Sequence, residues 1–158
     1  MRDPSELVAM AKRIIGSNRY MTIGTVDPAG RPWVTPVYFG HRDYRELFWI
    51  SSREAEHSVN ISRRSEVSIV VFDSSVPIGG AEAVYMSGTA KTIESPTEED
   101  CAAAFRPRFE GVRSMSPDEL RGGRLRLYRA DVTQHWVLIR GNDPVWGRGT
   151  DERLPVSL

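Results

Sequence analysis

The sequence predicts a mainly β fold, an antiparallel sheet closed into a small barrel with helices at its periphery. Three observations carry that expectation. Apolar and polar residues alternate along six separate stretches. Gly, Pro, Asp and Ser punctuate the chain between them. Only one short helical pattern, residues 55–64, falls between neighbouring strands, too few for the regular alternation that a parallel sheet demands. With 158 residues, 40% of them hydrophobic and 27% charged, the chain suffices for one core, so residues 1–158 are expected to form a single domain.

The elements follow in order. Asp3-Pro4-Ser5-Glu6, Ser95-Pro96-Thr97-Glu98 and Ser116-Pro117-Asp118-Glu119 each set a capping side chain, a proline and then a carboxylate, the spelling of a helix start. The first helix, within residues 1–17, gathers Leu7, Val8, Met10, Ala11, Ile14 and Ile15 on one face and closes at Gly16, as a cover lying on the body of the domain. Residues 20–26 and 33–39 form a hairpin about the turn Asp27-Pro28-Ala29-Gly30. Strands follow at 47–51, 67–72, 83–91 and 125–139, the last expected to bend or break near Asp131. The two later helix starts make one helical insertion over 95–122, its first helix halted by Pro107. Residues 141–158 read as an irregular C-terminal tail.

Composition narrows function. Twenty-one Lys and Arg balance 21 Asp and Glu, which removes the general field of a nucleic-acid or membrane-surface binder. The residues Met1 to Pro4 lack an apolar signal core, and no stretch reaches the roughly 20 apolar residues of a membrane span. One cysteine, Cys101, allows no internal disulfide and suits a reducing cytoplasm. His41, His57 and His135 stand at no metal-ligand spacing, and no Gly-x-Ser-x-Gly elbow is present. Arg121, Arg124, Arg126 and Arg129 alternate with Leu125, Leu127 and Tyr128, which reads as one solvated strand face.

The segment from Leu47 to Ile61 carries the most chemistry. An apolar strand runs into a helix start at which Ser51 and Glu54 fit a capping box. Such a start aims free amides and the positive dipole end at one point, a seat for a phosphate. Ser51, Ser52, Arg53 and, when protonated, His57 would surround it with donors. The same residues also read as a plain cap with solvated neighbours.

Five blocks in order bear a resemblance: residues 30–38 (Gly30-Arg31-Pro32-Trp33 onward), Phe48-Trp49-Ile50-Ser51-Ser52, His57-Ser58-Val59-Asn60-Ile61, residues 66–72 and Tyr85-Met86-Ser87-Gly88-Thr89-Ala90. Over roughly residues 5–140 the chain resembles the pyridoxamine 5′-phosphate oxidase-like family of FMN-binding split barrels. That resemblance implies an antiparallel split β-barrel, a homodimer with FMN at the interface, and two-electron chemistry on a small organic substrate. It implies that Thr35, Pro36, Val37 and Tyr38 run past the flavin ring and that Trp49, Ile50, Ser51 and Ser52 pass the ribityl chain and phosphate, with Arg53 and Asn60 nearby. His57 stands where many relatives carry a phosphate-binding lysine, so affinity for FMN should fall as the pH rises. Tyr38 is a guess for acid–base work, and no catalytic residue is otherwise named.

The tail invites a narrower comparison. Trp146 followed by Arg153-Leu154 resembles the C-terminal segment of true pyridoxamine phosphate oxidases, but Pro155 stands where their substrate-contacting histidine is expected and Ala83 where they carry a glutamine. Vitamin B6 oxidation is therefore not the first expectation. Relatives that use the deazaflavin F420 offer an alternative, with Arg53, Arg63 and Arg64 as candidates for its acidic tail; a flavin- or haem-binding module without turnover is another.

Overall fold

A computed structural model describes residues 3–106 and 109–158; Met1, Arg2, Pro107 and Arg108 lie outside them, and with Pro107 the expected stop of the second helix. Helix α1 (Pro4–Ser17) starts on the Asp3 cap, whose carboxylate accepts from the Ser5 amide, and buries Leu7, Ala11, Ile14 and Ile15. The strands are β1 (Tyr20–Val26), β2 (Pro32–Tyr38), β3 (Gly40–Arg42), β4 (Glu46–Ser52), β5 (Glu66–Phe72), β6 (Ala83–Ile93), β7 (Leu125–Ile139) and β8 (Glu152–Val156). Helix α2 (Glu56–Arg63) lies between β4 and β5, and α3 (Glu98–Ala103) and α4 (Pro117–Leu120) between β6 and β7.

The strands form one antiparallel sheet in the order β2-β1-β5-β6-β7-β4-β3, with β8 also on β7. The fold is the expected mainly β one. Strand β7 organises it. One edge pairs with β6; the other serves β4 from Leu125 to Asp131 and then β8 from His135 to Ile139. The hand-over coincides with a register shift opposite Ser87 and Gly88, so of the bend or break expected near Asp131 it is an irregularity within one continuous strand that forms. A Cβ on Gly88 would stand 2.1 Å from the Asp131 carbonyl oxygen, and only glycine admits that approach.

Four further expectations are corrected. Eight strands form rather than six, because β3 is three residues long and β8 contains Pro155, and neither gives a period-two signal. The tail is therefore partly strand. Helix α3 is capped by Thr97 in a box with Asp100, not by Ser95: Thr97 and Asp100 satisfy each other's backbone amides, and the helix starts at Glu98. The arginines do not share one wet face: Arg126 is buried and Arg129 half-buried, since β7 is covered by the barrel interior on one side and by the insertion on the other.

Two apolar clusters result. The larger fills the barrel with Met21, Ile23, Leu47, Trp49, Val71, Met86, Tyr128 and Val137 under α1. The smaller packs Phe48 and Leu127 against Cys101, Ala104, Phe105 and Leu120 of the insertion. The insertion is seated on bare backbone: a Cβ at Gly40 would lie 2.1 Å from the Ala103 carbonyl oxygen, and the His41 amide donates to the Arg106 carbonyl at 2.9 Å. Gly40→Ala should lift the insertion and cost about 2 kcal/mol or more, read as a lower midpoint in urea.

Candidate functional site

The sheet curls until its ends meet without pairing. Tyr38 at the close of β2 and Ile50 in β4 line one cavity of about 200 Å³ together with Ala104, Phe105, Arg113 and Met115, yet no ladder joins the two strands. This seam is the split of the barrel. Its β2 side is a free strand edge whose polarity follows from two prolines. Pro32 and Pro36 lack an N–H, so they occupy positions facing away from β1; the register then turns the Val34 and Tyr38 amides and the Pro36 carbonyl outward as well. Thr35 and Val37 spend their backbone groups on β1, and Val37 is buried in the core.

Helix α2 sits at the other margin of the seam. Its amides at Glu56, His57 and Ser58 have no carbonyl within the helix to bond, and its first residue follows Ala55, which supplies no capping side chain. The Ser51–Glu54 capping box does not form. Ser51 and Ser52 remain in β4 because they pair with Arg126 and Leu125 of β7, and Ser52 instead closes the following turn by accepting from the Glu54 amide at 3.2 Å. Ser51 Oγ bonds His57 Nε2 at 2.9 Å, and Asn60 Nδ2 donates to Thr25 Oγ1 of β1 at 3.0 Å. Ser58, 3% exposed, has a hydroxyl with no partner among the described residues.

Charge at this corner differs from expectation. His57 is buried, and burial lowers its pKa from the ordinary 6.5, so it is a neutral partner of Ser51 rather than a cation. Arg53 is exposed on the turn before α2. Burial raises the pKa of Tyr38, whose ring meets Tyr20, Phe105 and Phe109 edge-on or tilted, and its hydroxyl has no partner among the described residues; it stays a protonated donor.

The order of these elements decides the family. A model of the family described as pyridoxamine 5′-phosphate oxidase matches residues 7–136. The chain belongs to this family. Among curated proteins none matches it by sequence. Of solved structures, a pyridoxamine 5′-phosphate oxidase-related FMN-binding protein from Nostoc punctiforme superposes with a TM-score of 0.56 at 17% identity, over 100% of this chain and 98% of that one. An F420 reductase gives 0.59 at 18% identity over 78% and 94%, and HutZ, the haem storage protein of Vibrio cholerae, 0.66 at 21% over 90% and 98%. At such identities the likeness is one of fold.

Within this pyridoxamine 5′-phosphate oxidase family member, the structure brings Thr35, Pro36, Tyr38, Ile50, Ser51, Ser52, Arg53 and His57 to the seam or the turn beside it. It sets others behind it. The Trp49 indole is inside the barrel, stacked on Tyr128 at 5.5 Å, and Asn60 is turned to Thr25 through Nδ2, its Oδ1 without a partner among the described residues. Trp146 lies on the turn ahead of β8, packed on the main core beyond the opposite end of β7 from Arg126. No described helix is long and apolar enough to cross a membrane.

Burial lowers the pKa of His41, His57 and His135 alike. A base depressed in the folded state gives stability that is whole above its unfolded pKa and is lost as the pH falls below it, because the unfolded chain takes up protons the folded one refuses. Unfolding free energy should therefore hold steady above about pH 6.5 and decline as the pH falls below it. Denaturant curves at several pH values should show a shallower decline in His57→Gln.

Proposed function

We propose that this protein is an FMN-dependent oxidoreductase acting on a small organic substrate, working as a homodimer in a reducing cytoplasm. The observations that carry the reading are the free β2 edge along the seam and, where the chain leaves β4, three α2 amides with no carbonyl partner in the helix. These are the donors a ring's carbonyl edge and a terminal phosphate require, so the residues present suit that group. Bound flavin would supply the two-electron chemistry. The Tyr38 amide and the Pro36 carbonyl would orient the ring's polar edge, and Ser51 and the α2 amides would hold the phosphate. The apolar cavity beside Tyr38 and Phe105 would exclude water from one face.

The dimer rests on a second observation. The outer sheet face carries an apolar groove of about 620 Å³ lined in part by Gly24, Val34, Val67 and Gly88. Trp33 and Val34 beside it are 48% and 67% exposed, more apolar surface than a lone domain leaves wet without use. A second copy seated there would cover the groove and close the seam.

The rival cofactors fit less well. F420 asks for a basic groove along its acidic tail, whereas Arg53 precedes α2 and Arg63 and Arg64 follow it, about 12 Å further along the axis. Haem asks for an axial ligand at the seam, and the imidazole there, His57, is buried with its Nε2 held by Ser51, while His41 and His135 stand together at Tyr44. Visible spectra of the purified protein, and of protein refilled separately with FMN, F420 and haemin, should show FMN bound most tightly and bleached by a nicotinamide donor. Ser51→Ala should weaken FMN about tenfold. Tighter binding of F420 or haem would overturn the assignment.

A further inference from the structure

Arg126 is a buried cation with no anion beside it among the described residues. It stands on the inward face of β7 in line with Tyr128 and Ala130, and is 7% exposed. Its Nη1 donates to the Leu125 carbonyl at 3.0 Å and to the Gly123 carbonyl. Among the described residues no carboxylate lies within ion-pair reach of it. Nε and Nη2 make no hydrogen bond there either, and neither is sealed from solvent, so two donors of the guanidinium fork remain open. Holding a guanidinium inside a fold without a counter-charge is costly, and a methionine of similar reach would pack there without that cost.

Position gives the charge a purpose. Arg126 is the cross-strand neighbour of Ser51, and directly opposed residues raise their side chains from the same face. Ser51 is bonded to His57 at the start of α2. The corner thus has hydroxyl and amide donors but no cation on His57, while a permanent one waits across the ladder. We infer that Arg126 supplies the fixed positive charge of an anion site at this corner, taking the terminal phosphomonoester of the cofactor through Nε and Nη2. The inference rests on the cofactor reading for the carrier of the phosphate, though not for the anion chemistry. A guanidinium stays charged at every physiological pH, so affinity for the phosphate should not fall across the neutral range as a histidine cation would make it fall.

The test compares wild type, Arg126→Met and Arg126→Lys, with Arg126→Gln as the second neutral variant should methionine not be tolerated. Thermal melts with inorganic phosphate should show stabilisation of wild type and Arg126→Lys but not of Arg126→Met, which without ligand should melt no lower than wild type. Titrations should show FMN weakened about tenfold or more in Arg126→Met, with riboflavin, which lacks the phosphate, unchanged within about twofold. A neutral variant that keeps the phosphate shift and the FMN affinity overturns the inference, and so does an equal loss of FMN and riboflavin. Should wild type bind no FMN, the cofactor reading fails alone and the phosphate melts decide: no shift in wild type overturns the anion site, and a shift lost in the neutral variant supports it.

Discussion

Helix α2 is tied to both ends of the curled sheet, and the shape of the molecule depends on that double attachment. His57 bonds Ser51 in β4, and three residues later Asn60 bonds Thr25 in β1, strands with three others between them in the sheet order. Both bonds are between neutral groups in a buried setting, where breaking one strands its partner at a cost of about 1–3 kcal/mol. The helix therefore works as a staple across the gap: it keeps β2 and β4 near each other while preventing them from pairing. A charged side chain at position 57 could not serve in that way without a counter-ion, which is the physical reason a histidine is at home here.

The hand-over on β7 makes the gap available in the first place. Had β4 continued along the full strand, the far half of β7 would have had no room for β8, and the bend that curls the sheet would have no origin. Gly88 lets two backbones close on each other at the point of transfer, and the bulge that results turns β7 from serving the split to serving the tail.

Much of this was legible in the chain. Residues 20–26, 66–72 and 83–91 alternate cleanly because one side of each strand meets the core, and Asp3 and Ser116 stand directly before prolines that can only begin a helix. The hidden parts were those fixed by partners distant in sequence. Strand β8 exists because the far end of β7 has a vacant edge, and Ser51 stays extended because Arg126 lies opposite, so neither follows from local pattern. Arg126 itself left a trace that was misread: counting by twos from Tyr128 and Ala130 places it on the core face, where an arginine calls for an explanation.

The two prolines of β2 reach beyond the seam. A strand at the end of a sheet is an invitation to any extended chain, and runs of free donors and acceptors are where fibrous assembly begins. With amides missing at Pro32 and Pro36, an incoming strand could make only every second pair of bonds along this margin. The margin that stays open along the seam thereby makes a poor template for unfolded neighbours.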